Sequence, residues 1–382
     1  MQKATRQQIK EHNKLLVLQT AYSQSNISRA DIARTTRLTR TTVSDIVGEL
    51  MDEGLLEEVG IGSSIGGKPP ILLSVVDDAR QLICLDLSDD FLQGALVNLR
   101  GKIARRVNMP ASCQEEQATL NCIFQLIDEL IAAAAAPLVG IGIGSPGLID
   151  SQNGIVREAV NLGWKHVPLK QLLSERYGMP IYVSNDSHVA ALAEFTFGAL
   201  RGTPNLVVIK VGRGIGSGIV INGQIFYGDG FSAGEIGHLT VVEDGERCRC
   251  GKYGCLETVS STRAILERVQ KENGPGIASL DALSRSFELG NKRVAAAVGA
   301  AGHYLGSVIA ELITILNVNN IILSGYFTSF GDPFLELVHA EVNNRVLSKM
   351  VDETRLSYST LGTDSVILGA SALVLSKEFG LT

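Results

Sequence analysis

The chain has 382 residues, a length that predicts two or three domains. Its composition, 45% hydrophobic and 19% charged, is that of a globular protein, and its net charge of −6 argues against a protein that coats nucleic acid along its whole surface. No apolar run approaches the roughly 20 residues that span a bilayer, and the N-terminus lacks the apolar region of a secretory signal, so we expect a cytoplasmic protein without membrane insertion.

The charge is unevenly distributed along the chain. Residues 1–40 carry eight Lys and Arg side chains against two carboxylates, Glu11 and Asp31. A basic end on an acidic body is typical of an appended module that binds nucleic acid. We therefore expect residues 1–80 to form a DNA-binding domain.

Three helices are predicted in this N-terminal region. The first spans about residues 6–22, and the second begins at the capping box formed by Ser28 and Asp31 and ends near Thr35. Thr39 caps the third helix, and Gly54 ends it. Its apolar residues recur at helical spacing and predict one buried stripe: Val43, Ile46, Val47, Leu50 and Met51.

The other face of the third helix carries hydroxyls and a guanidinium in its first turns, where a recognition helix reaches base edges in the major groove. A strand at residues 55–59, a Gly/Ser-rich turn at 60–67 and a return from 68 to 73 predict a wing. The candidate DNA contacts are Arg37, Arg40, Thr41, Thr42, Ser44 and Lys68. The pattern indicates a winged helix-turn-helix, and the alternative is a three-helix dimerisation or docking module.

From Gln81 onward the pattern is mixed α/β. Predicted strands cover residues 82–87, 91–98, 102–107, 138–144, 181–184, 205–211 and 321–323. Predicted helices cover residues 115–135, 168–177, 187–197, 292–316 and 364–379. These elements alone indicate the α/β class and no particular topology.

One short stretch, residues 234–258, holds a histidine and three of the six cysteines. His238, Cys248, Cys250 and Cys255 supply three thiolates and one imidazole, a complete tetrahedral ligand set for one structural zinc ion per chain. The alternatives are buried free thiols, since other cysteines are scattered along the chain, and a disulfide, which the absence of a secretory signal disfavours. Glu235 and Glu257 flank the set, and a closed zinc site would fix their loops in place.

This stretch resembles the signature of the ROK family of sugar-responsive repressors and sugar kinases, namely Gly-Glu-x-Gly-His followed by Cys-x-Cys-Gly-x-x-Gly-Cys-Leu-Glu. Every fixed position of the signature is present, from Gly234 to Glu257. The resemblance implies a structural zinc, an adjacent sugar pocket and a two-lobed actin-like fold with the ligand between the lobes. The smaller lobe would comprise residues 81–195 completed by 364–382, and the larger lobe residues 196–363.

The sugar pocket is predicted from the resemblance together with hydrogen-bonding capacity. Asp186 follows a predicted strand and matches the general base of ROK kinases, although it could also cap the helix that follows, or do both. Segments 144–150 and 161–164 match family sugar-site segments. The predicted sugar-binding residues are Asn161, Asp186, Glu235, His238 and Glu257.

The nucleotide contacts depart from the kinase pattern at three places. The Asp-x-Gly-Gly-Thr turn is replaced by Asp86 to Phe91, where Leu87–Asp90 brings no glycine and adds two carboxylates that would repel phosphate. Arg213 stands where Thr is usual in the second phosphate turn, and Ser324-Gly325-Tyr326 replaces a run of glycines near the adenine end. We therefore expect no kinase activity and no catalytic residue, with Asp186 as a vestigial base.

The function that the sequence favours is a sugar-responsive repressor of carbohydrate uptake or catabolism genes, similar to xylose-, glucose- or N-acetylglucosamine-responsive repressors. It would bind a palindromic double-stranded operator as a dimer or tetramer and be released by a sugar or sugar derivative. Two alternatives stay open: a ROK sugar kinase with an appended DNA-binding domain, and a repressor controlled by a protein partner.

Overall fold

The computed structural model describes residues 5–63, 69–87, 91–110, 116–273, 277 and 279–381. Its N-terminal elements are α1 (Arg6–Ser23), β1 (Ile27–Ser28), α2 (Arg29–Thr36), α3 (Arg40–Asp52), β2 (Leu56–Ile61) and β3 (Ile71–Val75). The three predicted helix starts are confirmed, because the side chains of Thr5, Ser28 and Thr39 each accept a hydrogen bond from a backbone N–H three residues on. The predicted stripe of α3 is buried except at Met51, which is half-buried.

The wing prediction is only partly covered by the described residues. Strands β2 and β3 pair antiparallel, with Ile61 opposite Ile71, and β1 adds to the other side of β3. Residues 64–67 of the turn predicted at 60–67, and the predicted DNA contact Lys68, lie outside the described residues.

The next part of the chain builds the first of two five-stranded sheets. Its elements are β4 (Gln81–Asp86), β5 (Phe91–Asn98), β6 (Ile103–Pro110), α4 (Glu116–Ala133), β7 (Leu138–Ser145), β8 (Leu148–Asp150), β9 (Ile155–Ala159), β10 (Trp164–Val167), α5 (Leu169–Tyr177), β11 (Ile181–Asn185) and α6 (Asp186–Phe197). The sheet order is β11-β7-β4-β5-β6, while β8, β9 and β10 form a small antiparallel sheet beside it.

The remaining elements build the second sheet and its helices. They are β12 (Leu206–Val211), β13 (Ile215–Ile221), β14 (Gln224–Ile225), α7 (Leu256–Ser260), α8 (Thr262–Asn273), α9 (Leu280–Glu288), α10 (Lys292–Leu316), β15 (Asn320–Gly325), α11 (Gly331–Arg345), α12 (Ser348–Glu353), β16 (Arg355–Tyr358) and α13 (Ser365–Phe379). The second sheet has the order β14-β13-β12-β15-β16.

The two sheets share one topology. In each, three consecutive strands form antiparallel hairpins, and two later strands add in parallel on the side of the first strand. Parallel addition needs crossover connections, which the intervening helices supply. This duplicated arrangement is the actin-like two-lobed architecture that the sequence resemblance implied.

Two helices lie between the sheets and pack on each other. Helix α6 covers β12 and β13 of the second sheet, whereas α13 covers β4 and β7 of the first. The approach of α6 and α13 requires glycine, because a Cβ at Gly369 would lie 1.8 Å from the carbonyl oxygen of Val189. The packing of α13 on β7 requires it too, because a Cβ at Gly142 would lie 2.2 Å from the carbonyl oxygen of Ala370. The helix that begins at Asp186 is thereby coupled mechanically to the C-terminal helix.

The N-terminal helices are joined to the first sheet by a common hydrophobic core. Val17, Leu18 and Tyr22 of α1 belong to the same buried cluster as residues of β4, β5 and α13. The Tyr22 hydroxyl donates to the Leu99 carbonyl oxygen at 2.8 Å, and the Arg100 guanidinium lies 4.0 Å from the centre of the Tyr22 ring. The N-terminal helices are therefore a packed extension of the first sheet.

Among the described residues, α10 is the one helix long and apolar enough, by length and composition, to cross a bilayer. Half of its most apolar window is buried inside the protein. Its inward side, which includes Leu305 and Ile309, belongs to the core of the second lobe with residues of β12 and β15.

Candidate functional site

A cleft of about 360 Å³ opens where the two lobes face each other. Its walls come from the end of β7, the N-terminus of α6, the turn between β12 and β13, and the segment that holds the cysteines. All five predicted sugar-binding residues line it: Asn161, Asp186, Glu235, His238 and Glu257. Residues that are far apart in sequence are thus brought to one cavity.

Asp186 occupies the first position of α6 and faces this cleft. The cap is supplied by Asn185, whose side-chain oxygen accepts from the backbone N–H groups of Ser187 and His188. The Asp186 Oδ1 atom also accepts from the Ser187 N–H, at 2.9 Å, while Oδ2 forms an ion pair with Lys210 Nζ at 2.9 Å; both side chains of the pair are 13% exposed. Asp186 is therefore a hydrogen-bond acceptor that faces the cleft and whose position is fixed by Lys210.

Glu235 and Glu257 add two more carboxylates to the same wall. Burial, together with the negative charges of Asp186 and Glu257, raises the pKa of the Glu235 carboxyl to about 7. The Glu257 Oε2 atom accepts from the backbone N–H of Ile215, at 3.4 Å, in the β12–β13 hairpin. A cluster of oxygen acceptors in a partly buried cleft suits a ligand with several hydroxyl donors.

The predicted zinc ligands meet beside this wall. The donor atoms of His238, Cys248, Cys250 and Cys255 all lie within 4.8 Å of one another. Cys250 Sγ is 3.7 Å from Cys255 Sγ, and Cys248 Sγ is 3.7 Å from His238 Nδ1. Ligands about 2.0–2.3 Å from one tetrahedral zinc are separated by about 3.5–3.8 Å, so the four residues fit such an ion.

Backbone hydrogen bonds shape the segment that holds the cysteines, which we call the metal knot (residues 238–255). The Cys248 N–H donates to the Lys252 carbonyl oxygen at 2.8 Å, and the Gly254 N–H donates to that of Glu246 at 2.9 Å. Gly254 has a φ of +65°, and a Cβ there would lie 1.7 Å from the Val242 carbonyl oxygen, so only glycine fits.

The two ring nitrogens of His238 face different neighbours. Nδ1 lies on the side of Cys248 Sγ, while Nε2 lies 3.9 Å from Glu235 Oε2 in the cleft. A metal held at Nδ1 would fix the ring and leave Nε2 for a hydrogen bond to a ligand or to Glu235. His238 can therefore act in both of its predicted roles.

Asn161 approaches the cleft from the connection between β9 and β10. Its side-chain oxygen accepts a hydrogen bond of 2.6 Å from the guanidinium of Arg249 in the metal knot. Because Arg only donates, the Asn161 NH₂ group is the part left for a ligand. This contact bridges the cleft from one lobe to the other.

The nucleotide contacts are described only in part. Ser88, Asp89 and Asp90 lie outside the described residues, so the predicted loss of the first phosphate turn stays a prediction. In the second turn, residues 212–214 connect β12 to β13, and Gly216 and Gly218 lie within β13, where a Cβ at Gly216 would lie 2.3 Å from Ser187 Oγ. Arg213 and Gly214 of this turn line the cleft.

The other predicted sites lie on the N-terminal helices. Arg37, Arg40, Thr41 and Ser44 are exposed, as a DNA-binding face requires. Thr42 is half-buried, and its hydroxyl is 2.8 Å from the Thr39 hydroxyl, so it takes part in capping α3.

Sequence reasoning missed two cleft residues, Lys210 and Arg249. Lys210 interrupts the otherwise apolar strand β12, and a charge within a buried strand is a signal that it has a partner. Arg249 stands between two cysteines, and nothing in the neighbouring sequence indicates its contact with Asn161.

Comparison with known proteins agrees with this architecture. The ROK family model matches residues 82–377. The xylose repressor of Caldicellulosiruptor bescii is 32% identical, over 96% of each chain, and a glucokinase of Halalkalibacterium halodurans is 32% identical over 78% of this chain and 96% of its own. A solved ROK family transcriptional regulator, described as a homologue of the E. coli Mlc protein, superimposes with a TM-score of 0.85 and 27% identity, over 98% of each chain. The chain belongs to the ROK family.

Proposed function

We propose that this chain is a sugar-responsive transcriptional repressor of genes for carbohydrate uptake or catabolism. The observation that carries the proposal is the presence in one chain of an acceptor-rich cleft and of three capped helices with an exposed polar face on α3. The full-length likeness to a xylose repressor and to a ROK transcriptional regulator supports it.

In this proposal residues 1–80 form a winged helix-turn-helix that binds a palindromic operator in the cytoplasm. Arg37, Arg40, Thr41 and Ser44 lie on the exposed side at the start of α3 or in the turn before it, where base edges are read. A palindromic operator requires a protein with two-fold symmetry, so the active form is a homodimer or a tetramer built from dimers.

The remaining domains hold the effector. Residues 81–195 with 364–382 form the smaller lobe and residues 196–363 the larger, with one structural zinc per chain in the metal knot. A closed four-ligand zinc contributes folding energy and offers no position for a reacting water. Asn161, Asp186, Glu235, His238 and Glu257 bind the hydroxyl groups of the sugar, and hydroxyl-binding residues of this kind suit pentose, hexose and N-acetylhexosamine alike.

A sugar kinase with an added DNA-binding domain is the second candidate. Two observations favour it: Asp186 faces the cleft beside Lys210, and a glucokinase is similar over most of the chain. Phosphoryl transfer depends chiefly on positioning and neutralising the nucleotide phosphates. The loss of both glycines between Leu87 and Asp90 and the presence of Arg213 disfavour that binding.

The test begins with a random pool of DNA duplexes, from which those that bind the purified full chain are selected. The selected duplex is labelled, and its release is followed by fluorescence anisotropy as D-xylose, D-glucose or N-acetylglucosamine is added. We expect one sugar to release the duplex and to raise the melting temperature of the protein, because it binds the folded state.

Three other outcomes would contradict the proposal. ATP-dependent phosphorylation of a sugar at rates of about 10 s⁻¹, an ordinary enzyme turnover, would favour the kinase. If no sugar releases the duplex but an added sugar-transport protein does, control by a protein partner is favoured. Selection of no duplex would indicate a docking module at the N-terminus.

A further inference from the structure

His188 is a buried histidine in the first turn of α6, two positions after Asp186. It is 2% exposed and does not line the cleft. Its Nε2 atom lies 2.7 Å from the carbonyl oxygen of Ala233, in the segment that precedes Glu235. Because a carbonyl oxygen can only accept, Nε2 carries a hydrogen and is the donor of this bond.

The surroundings of the His188 ring determine its protonation. Burial lowers the pKa of the imidazole, although the Ala233 carbonyl and the Asp186 carboxylate act in the opposite direction. Among the residues that the structure describes, none forms a hydrogen bond with Nδ1, so a proton added there would have no acceptor. The neutral ring with its hydrogen on Nε2 is therefore the form that fits this site.

The partner of His188 belongs to a short loop, residues 227–233, which we call the clasp loop. The two ends of the loop meet, because the Ala233 N–H donates to the Tyr227 carbonyl oxygen at 3.1 Å. Both ends also contact His188: Ala233 accepts its hydrogen bond, and the Tyr227 ring stands edge-on to the imidazole with 5.3 Å between ring centres. The imidazole thus joins the closed end of the clasp loop to α6.

The clasp loop leads directly into Glu235. The residue between them, Gly234, is held by β13, since its carbonyl oxygen accepts from the Ser217 N–H at 2.9 Å and from the Ser217 hydroxyl at 3.1 Å. Gly234 has a φ of +91°, and a Cβ there would lie 2.0 Å from the Ser217 carbonyl oxygen, so a larger residue does not fit. Glu235 therefore follows two anchored carbonyl groups, one bound to α6 and the other to β13.

Helix α6 and strand β13 are also fixed against each other at this place. A Cβ at Gly218 would lie 2.3 Å from the Ser187 carbonyl oxygen, so the first turn of α6 lies directly on the strand. Asp186 begins the same turn that carries His188. The separation of the Asp186 and Glu235 carboxylates in the cleft therefore depends on how the clasp loop is held on α6.

We propose that His188 is a positioning residue of the cleft: its Nε2–H group holds the clasp loop against α6 and so places Glu235 beside Asp186. The proposal rests on the proposed function, because Glu235 is one of the residues proposed to bind sugar. A sugar that moves Glu235 also acts, through Ala233 and His188, on the first turn of α6.

The test compares His188→Gln with His188→Met, which introduce two unbranched side chains of similar size. The glutamine nitrogen lies as many bonds from Cα as Nε2 of histidine does and can donate to Ala233, whereas methionine has no donor. Binding of D-xylose, D-glucose and N-acetylglucosamine to the full chain is measured by isothermal titration calorimetry. His188→Met should bind the preferred sugar about five- to a hundredfold more weakly, the range for a lost buried hydrogen bond. His188→Gln should bind it nearly as the unaltered chain does.

A double-mutant cycle separates positioning from a general loss of stability. If His188 acts through Glu235, the variant that combines His188→Met with Glu235→Ala should bind sugar as Glu235→Ala alone does. Thr196→Val is the matched control, because Thr196 is also buried on α6 and its hydroxyl has no hydrogen-bond partner within the described part of the chain. It should bind sugar as the unaltered chain does.

Hydrogen exchange without sugar tests the contact itself. Amide exchange in residues 227–238 should be faster in His188→Met than in His188→Gln or the unaltered chain, because the released loop opens more often. The ¹⁵N spectrum of the histidine rings in the unaltered chain gives a measurement that needs no folded His188→Met. The signal that disappears in His188→Gln should be that of a ring with its hydrogen on Nε2, and a hydrogen on Nδ1 alone would overturn the proposal.

The outcomes distinguish this proposal from the proposed function. Equal sugar affinity and equal amide exchange in His188→Met and His188→Gln overturn the positioning role and leave a sugar-responsive repressor intact. If none of the three sugars binds the unaltered chain, the proposed function is contradicted, and the exchange comparison still decides whether His188 holds the clasp loop.

Discussion

Cys250 is the one exposed residue among the four proposed metal ligands, whereas Cys248 and Cys255 are buried. An exposed thiol is not kept in place by packing, so its approach to 3.7 Å from Cys255 Sγ comes from the backbone turns of the metal knot. That arrangement places three thiols close together, which is unfavourable once they ionise unless a cation binds them. The geometry therefore supports a metal ion as a structural part of the chain.

Cys250→Ser should lose zinc and sugar binding together. The purified unaltered chain should contain about one zinc per chain, as a closed four-ligand site requires. Loss of the metal frees the segment between His238 and Cys255, and with it the His238 ring that faces Glu235. Metal analysis and a sugar titration on the same sample check both effects.

Cys122→Ser is the control for that variant, since Cys122 lies on α4, away from the knot. It should keep both zinc and sugar. A Cys250→Ser protein that contains no zinc and still binds sugar normally would show that the metal does not position the sugar-binding residues.

Asp186→Asn should weaken the release of operator by sugar and leave operator binding without sugar unchanged. The substitution removes one acceptor from the cleft and leaves Lys210 without the carboxylate at 2.9 Å. A hydrogen bond to a charged group is worth about 1.5–3 kcal/mol, so we expect sugar affinity to fall at least tenfold. Operator release by sugar, measured by anisotropy, is the readout.

Asp128→Asn provides the comparison, because Asp128 pairs with Arg176 on the surface, outside the cleft. It should respond to sugar as the unaltered chain does. If the unaltered chain phosphorylates a sugar with ATP and Asp186→Asn alone stops it, Asp186 is a catalytic base and the repressor-only function is wrong.

The residues that sequence reasoning identified are those whose chemistry is visible locally. The metal ligands lie within one short stretch, and their type and spacing are sufficient to predict the cluster. The partners Lys210 and Arg249 could not be predicted in the same way. They contact Asp186 and Asn161 across separations of 24 and 88 residues, which only the folded chain determines.

At the scale of elements, capped helices and buried strands were predicted well and short strands were not. The bounds of α10 and β5 agree with the prediction, because α10 follows the cap at Asn291 and β5 is mostly apolar. The sheet of β8, β9 and β10 was missed, since strands of three to five residues carry too little periodicity to register. That sheet leads into Asn161, so the omission concerns the site itself.

Helix α3 is the element on which the proposed DNA binding depends. Its apolar stripe is buried against α1 and α2, and its first turn is held by the Thr39 cap. Arg40 is exposed and lies off the stripe, so its side chain contributes little to folding. The element can therefore be altered on one face without disturbing the other.

Arg40→Ala should weaken operator binding and leave the melting temperature nearly unchanged. The loss should be about 1–3 kcal/mol for the selected duplex if Arg40 reads a base edge. If Arg40 touches only phosphate, selected and unrelated duplexes should weaken alike. Arg105→Ala, a removal of the same charge from the exposed strand β6, should bind both duplexes as before. Unchanged affinity of Arg40→Ala for both would show that the recognition face is elsewhere.

At the scale of the whole molecule, a chain of packed helices connects the cleft to the proposed DNA-binding domain. Asp186 starts α6 in the cleft, α6 packs on α13, and α13 shares a core with Val17 and Leu18 of α1. Helices packed this closely move as bodies, since interiors have little free volume. A ligand that changes the position of α6 would therefore alter the placement of the N-terminal helices.

Reciprocal coupling between sugar and operator is the expected consequence. Sugar should lower operator affinity by a factor of about 5–150, the usual range for allosteric proteins, and operator should lower sugar affinity by the same factor. Gly369→Ala should reduce that factor, because a Cβ there would lie 1.8 Å from the Val189 carbonyl oxygen and force α6 and α13 apart. Titrations of each ligand in the presence and absence of the other measure both factors.

Gly299→Ala on α10 separates this effect from a general loss of stability. A Cβ at Gly299 has no neighbour within 4 Å, so alanine there should stabilise the helix by about 0.5–1 kcal/mol. Its coupling factor should equal that of the unaltered chain. If Gly369→Ala folds, binds both ligands and keeps the full coupling factor, the signal does not pass through the contact between α6 and α13. The Arg249–Asn161 bridge across the cleft would then be the next contact to alter, because it also joins the two lobes.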